Sequence, residues 1–143
     1  MKLLIVDDEA DIRRLARLAL EKIGGMDVVE VQRGTEALEV AAAVKPDAIL
    51  LDMVMPGLDG PGVLAALRAD PRCAHVPVIF LTAQAQPDAI ERLRAQGATA
   101  VLIKPFDPMR LAADVEAALG MGRPASAKRA GIGNPDGAEP GAA

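Results

Sequence analysis

The chain alternates two hydrophobic patterns. Short, nearly continuous apolar runs occur at residues 2–6, 47–52, 76–81 and 100–104. Between them lie longer segments whose apolar residues recur at helical spacing. Residues 2–6 read as the first strand and 10–23 as a helix, with Ile12, Ala16, Ala19 and Ile23 on one stripe and Gly24-Gly25 as its stop. A short second strand is predicted at 27–31 and a second helix at 34–44, ending before Lys45-Pro46. The third strand, 47–52, is apolar enough to be buried on both faces. A helix over 60–69 stops at Asp70-Pro71. The fourth strand is Val76-Pro-Val-Ile-Phe-Leu81, with Pro77 near its start because proline has no N–H to donate. A helix over 87–96 ends at Gly97, and the fifth strand is 100–104. The last helix is expected to begin at Asp107 as N-cap, with Pro108 in the first position, and to run to about Leu119.

Five β-α units in succession predict an α/β fold, a doubly wound five-stranded parallel sheet with helices on both faces. Right-handed crossovers leave few arrangements, of which the order 2-1-3-4-5 is the common one. That order sets the carboxyl ends of strands 1 and 3 side by side. Residues 1–119 are read as one domain. From Gly120 the chain becomes rich in Gly, Ala and Pro, with Ile132 its one branched aliphatic, so 120–143 is read as a disordered tail with no second domain after it.

Composition narrows the function. Of 143 residues, 51% are hydrophobic, enough for a core, yet Phe80 and Phe106 are the only aromatics. Stacking on bases or sugars is therefore disfavoured. A formal charge of -4 offers no broad attraction to a polyanion, and no helix-turn-helix or basic face supports DNA binding. Cys73 is alone, which excludes a disulfide framework and a cysteine metal site. No stretch resembles a signal peptide or a membrane span, so a cytoplasmic location is expected, with no nucleic-acid or membrane partner.

The chemistry lies at the strand ends. Asp7 and Asp8 follow the first strand and Asp52 ends the third, just before Met53-Val-Met-Pro56-Gly-Leu-Asp-Gly60. Open α/β sheets place their sites at such ends. Two carboxylates about 4 Å apart repel by roughly 4 kcal/mol at an effective dielectric near 20. Three together either shift their pKa values upward or bind a cation. An oxygen-only cluster with an open shell favours Mg²⁺. Thr82 follows the fourth strand and Lys104 ends the fifth, where the ammonium can reach the acids. A hydroxyl, an ammonium and a metal around one carboxylate make a site for a phosphoryl group.

These residues resemble the receiver domain of bacterial response regulators, the phosphoacceptor half of two-component signalling. The resemblance rests on Asp7-Asp8, Asp52, Met55-Pro56-Gly57-Leu58-Asp59-Gly60, Thr82-Ala83 and Lys104-Pro105-Phe106, and covers residues 1 to about 119. It implies a flavodoxin-like three-layer sandwich in which Asp52 accepts a phosphoryl group from a phosphohistidine on a sensor histidine kinase or a histidine phosphotransfer protein. It also implies Mg²⁺ held by Asp8, Asp52 and the backbone carbonyl of Val54, with Asp7 reached through water. Thr82 and Lys104 would bind the phosphoryl oxygens, and the Lys104-Pro105 bond would be cis. The expected role is a single-domain switch, not an enzyme acting on a separate substrate, that catalyses its own phosphorylation and dephosphorylation and signals by protein contact or relays the phosphate.

The chain departs from the family pattern at Val101, where a Tyr or Phe is usual and its ring swings with the threonine. Val54 and Gln84 stand where the family varies dephosphorylation rate, and Val54 has no polar group to orient water. Each site residue also has a plainer reading. Asp7 and Asp8 can cap the first helix, Asp52 can serve a turn, Thr82 can be a strand-end hydroxyl, and Lys104 can be a snorkelling rim residue. His75 reads as an exposed loop residue, Cys73 as a small filler, and Met53 and Met55 as packing. Leu18 lies off the apolar stripe of the first helix, a surface the family uses to dock kinases, and is expected to touch the phosphodonor. An aspartyl phosphatase would need an acid at the position of Val54, and a flavin or nucleotide carrier would need a phosphate loop where Asp7-Asp8-Glu9 stands.

Overall fold

The computed structural model describes residues 1–83 and 86–120. Strands β1 (Lys2–Val6), β2 (Asp27–Val31), β3 (Ala48–Asp52), β4 (Val78–Thr82) and β5 (Ala100–Ile103) alternate with helices α1 (Ala10–Lys22), α2 (Gly34–Val44), α3 (Gly60–Ala69), α4 (Pro87–Ala95) and α5 (Leu111–Ala118). All pairings are parallel, in the order β2-β1-β3-β4-β5. This is the sheet the sequence pattern predicts.

The period of two along each strand divides the core into two layers. Leu4, Val6, Ile49, Leu51, Val78 and Phe80 join Val63, Leu64 and Leu67 of α3 and Ala37 and Ala41 of α2 on one side. Leu3, Ile5, Leu50, Ile79 and Leu81 join Ala16, Ala19 and Leu20 of α1 and Leu111, Ala112 and Val115 of α5 on the other. With both faces covered, the central strands are apolar between their ends, so the polar residue that closes each run marks the sheet's carboxyl rim.

Some expected details differ. Ile23 does not continue the buried stripe of α1. It is 47% exposed at the helix's C-cap, and Leu20 takes the buried position one turn earlier. α5 begins at Leu111 rather than beside Asp107. Pro108, Met109 and Arg110 form a separate turn in which the Arg110 N–H donates to the Asp107 carbonyl at 2.9 Å and the Met109 N–H to Asp107 Oδ1 at 2.9 Å. Asp107 thus caps a tight turn, and Arg110, at φ -113 and ψ -9, is the residue from which the α-helix starts. β4 begins at Val78, after Pro77, whose carbonyl still accepts from the Ile49 N–H at 2.9 Å. Cys73 and Met55 are buried in the α2–α3 layer, Met53 packs against it, and His75 is exposed in its loop. Val101 is partly buried against the same layer. Gln84 and, beyond Gly120, the expected tail lie outside the described residues. No described helix is long and apolar enough to cross a membrane.

Candidate functional site

Sheet register brings the acids together. Val6 stands opposite Leu51, so Asp7 and Asp52 follow one step further on adjacent strands. Asp7 continues the Leu3–Ile5 row and Asp52 the Ala48–Leu50 row, on the same face of the sheet. Ligand oxygens of Asp7, Asp8 and Asp52 lie within 4.8 Å of one another. Asp7 is 2% exposed and Asp52 6%, whereas Asp8 is half-buried. Thr82 pairs with Ile103 at the end of β4 and is 5% exposed. The Lys104 N–H donates to the Thr82 carbonyl at 2.8 Å, carrying the β5 chain past the rim to a cis Lys104-Pro105 bond.

Lys104 is the local counter-ion. Its Nζ lies 3.0 Å from Asp52 Oδ1, 3.4 Å from Asp7 Oδ2 and 3.4 Å from Glu9 Oε1. Burial opposes the ammonium's charge, but the hydrogen bond to Asp52 and the field of Asp7 prevail and hold its pKa above the ordinary lysine value. Burial pushes the Asp7 carboxyl up to about 6. The Glu9 N–H, donating to Asp7 Oδ1 at 2.9 Å, opposes that rise, the Asp52 charge adds to it, and Lys104 offsets part of it. Burial likewise raises Asp52, against the pull of Lys104, with Asp8 adding to the rise and the Val54 N–H lowering it. Among the described residues, one ammonium thus meets the two buried carboxylates and Glu9 at the rim, while the half-buried Asp8 adds a further negative charge beside them. The remaining negative charge, presented only by oxygen atoms, fits a hard divalent cation such as Mg²⁺.

The loop after β3 keeps this rim close to the helices. Gly57 has φ +84, a left-handed conformation that glycine adopts without penalty. Asp59 caps α3, its Oδ1 accepting from the Gly62 N–H at 3.0 Å. The Gly60 N–H donates to the Met53 carbonyl at 3.0 Å. A Cβ on Gly60 would stand 2.6 Å from the Asp52 carbonyl oxygen, 2.7 Å from Phe80 Cε1 and 2.9 Å from Met53 Cα. Val54 is 76% exposed beside the acids.

The family model described as "Response regulator receiver domain" matches residues 3–116. The chain belongs to the response regulator receiver family. It is 36% identical over 116 residues to a protein named Chemotaxis protein CheY from Pseudomonas aeruginosa, covering 81% of this chain and 94% of that one. It is 42% identical to a Probable transcriptional regulator ycf27 from Guillardia theta, of which it spans 45%. Among solved structures, the chemotaxis response regulator CheY4 of Vibrio cholerae superposes with a TM-score of 0.76 at 32% identity, over 82% of this chain and 97% of that one. A putative response regulator from Chloroflexus aurantiacus gives a TM-score of 0.76 at 34% identity, over 83% and 97%. Membership assigns the chain to the receiver side of two-component signalling, with an acidic pocket able to take a metal ion.

The structure brings Asp7, Asp8, Asp52 and Lys104 together and sets Thr82 on the adjoining strand end. Sequence reasoning took Glu9 only as part of an acidic run, although its adjacency to Asp7-Asp8 was a signal that it would reach Lys104. Gly60 is legible in sequence only as the end of the Met55–Gly60 motif, which does not reveal its close approach to the Asp52 carbonyl. No local pattern revealed Arg13, whose Nη1 donates to the Asp7 carbonyl at 2.8 Å.

Proposed function

We propose that Asp52 accepts a phosphoryl group from the phosphohistidine of a sensor histidine kinase or a histidine phosphotransfer protein, in a Mg²⁺-dependent reaction, and that the phosphorylated chain signals by protein contact or passes the phosphate on. The unit responsible spans residues 1–119. The observation that carries this reading is a buried carboxylate at a strand end, with Lys104 Nζ 3.0 Å away and oxygens of two further aspartates within 4.8 Å.

Asp52 is the nucleophile. One of its oxygens attacks phosphorus in line, the P–N bond to the donor imidazole breaks, and the imidazole leaves with the electron pair. Lys104, released from Asp52 as its charge moves outward, follows the phosphoryl oxygens, and the Thr82 hydroxyl donates a hydrogen bond to one of them. Asp8, Asp52 and the Val54 carbonyl would hold the divalent ion, with Asp7 behind a water, and the ion when bound neutralises charge on the phosphoryl oxygens. Val54 supplies no acid or base, which counts against turnover of small phosphomonoesters by an aspartyl phosphatase route.

The test is phosphotransfer profiling of the full chain against the histidine kinases of its source organism. One kinase should label the wild type, and Asp52→Ala should abolish labelling. Leu18 is exposed on α1, as is Leu15, and Leu18→Glu should slow transfer from that kinase at least tenfold. Labelling that persists in Asp52→Ala would refute the assignment of the acceptor, and an unchanged rate in Leu18→Glu would remove that residue from the donor contact.

A further inference from the structure

We infer that Arg13 is a positioning residue for the divalent-cation site, aligned for that task by Glu30. The inference rests on the proposed function, since it concerns the same site. Arg13 lies on the first turns of α1, with its side chain 15% exposed. Its Nη1 donates to the Asp7 carbonyl at 2.8 Å, and its Nε donates to Glu30 Oε1 at 2.8 Å. Glu30, on β2, is held in turn by Arg17 Nη1 on Oε2 at 2.8 Å, and Arg17 Nε meets Glu21 at 3.0 Å. These hydrogen bonds pull Glu30 below the ordinary glutamate range, so it stays ionised as an anchor.

The Asp7 carbonyl belongs to the peptide that joins Asp7 to Asp8. The rest of Asp7 is also held, its N–H donating to the Val31 carbonyl at 3.1 Å and its Oδ1 accepting from the Glu9 N–H at 2.9 Å. Lys104 Nζ holds the other carboxylate oxygen, Oδ2, at 3.4 Å, and Arg13 restrains the carbonyl and so fixes the plane of the peptide from which Asp8 departs. Asp8 is half-buried, the least enclosed of the three acids, and its ligand oxygen already lies within 4.8 Å of those of Asp7 and Asp52. A planar guanidinium can serve the carbonyl and Glu30 at once, because its Nε and Nη1 diverge in a fixed fork. An ammonium cannot reproduce that pair of directions. Outer partners of this kind orient metal-binding side chains, and their loss commonly weakens binding 10- to 100-fold, by the general rule.

Charge and position make opposite predictions here. Arg13 is a cation near a cation site, so if it acted only through its field, Arg13→Gln would tighten divalent binding and Arg13→Lys would leave it unchanged. Positioning predicts that both weaken it. The experiment is a titration of the full-length protein with Mg²⁺ alone, followed by amide shifts of residues 7, 8 and 52, with Glu30→Gln as a milder third variant and thermal unfolding without metal as a check on folding. The expected result is a loss of about tenfold in Mg²⁺ affinity for Arg13→Lys, a similar loss for Arg13→Gln and a smaller one for Glu30→Gln. Phosphorylation by a small-molecule phosphodonor at saturating Mg²⁺ should recover toward the wild-type rate. Wild-type affinity in Arg13→Lys, or tighter binding in Arg13→Gln, would overturn the inference while leaving the phosphoacceptor reading intact. Should Arg13→Gln fail to fold, Glu30→Gln decides in its place, and unchanged affinity there overturns the inference. A wild type that binds no Mg²⁺ would overturn both.

Discussion

At the scale of single residues, Asp7 carries the site's stored electrostatic cost. Its carboxyl is raised from 3.8 to about 6 by burial, so between those values the folded protein holds a proton that the unfolded chain has released. The folded state binding more protons means that metal-free stability falls as pH rises from about 4 to about 6. Ionised Asp7 then costs on the order of 2–3 kcal/mol. Asp7→Asn should therefore raise the unfolding temperature at pH 7.5 without metal and change it little at pH 4, as read by thermal melts. An equal gain at both values would show that charge is not the cause. Gly60 acts by absence of atoms. Because a Cβ there would meet the Asp52 carbonyl and Met53 Cα within 3 Å, both backbone atoms at the acceptor strand's end, Gly60→Ala should cost about 1–3 kcal/mol by the general scale of overpacking. It should also slow phosphate acceptance, because the nucleophile's backbone must shift. A crystal structure of the variant with Asp52 unmoved, together with an unchanged labelling rate, would contradict this.

At the scale of elements, the same apolar saturation that made the strands legible also marked where they end. Asp7, Asp52 and Thr82 stand out because each closes a run that both helical layers bury, and Lys104 because it closes the apolar run of the partly buried edge strand. Parallel pairing then did what no local pattern could, setting Asp7 beside Asp52 one step past Val6 and Leu51. The details that sequence missed depend on packing or on long-range polar contacts. Ile23 has the spacing of a buried residue but falls where α1 runs out. Asp107-Pro108 has the chemistry of a helix start but folds into a separate turn. Arg68 is a further case, unremarkable in sequence yet a clamp at the opposite end of the sheet from the acids. Its Nη1 donates to the Val76 carbonyl at 2.8 Å and its Nη2 to the Gly97 carbonyl at 2.9 Å, tying α3 to the approaches of β4 and β5. Burial lowers its pKa. Arg68→Ala leaves both carbonyls short of a donor and should cost about 2–3 kcal/mol in chemical denaturation, with Mg²⁺ affinity unchanged. Loss of affinity in step with stability would mean that the two ends of the sheet are more tightly coupled than separate contacts imply.

At the scale of the whole molecule, two apolar layers hold a parallel sheet rigid while its carboxyl edge gathers acids that the fold alone does not neutralise. Stability and readiness to react are thus set against each other at one edge, and a divalent ion relieves the conflict. Because protons compete with the ion for Asp7, Mg²⁺ affinity should fall by about tenfold between pH 7.5 and pH 5, the loss expected of a carboxyl that titrates near 6. The account stands most directly on whether Asp52 takes up phosphate only when the ion is present. Full-length protein should be incubated with a small-molecule phosphodonor, with Mg²⁺ or with EDTA, and its intact mass and the modified peptide read by mass spectrometry. The account predicts the added mass of one phosphoryl group, on Asp52, with Mg²⁺ and none with EDTA. Phosphate on another residue, equal uptake with EDTA, or none under either condition would contradict it.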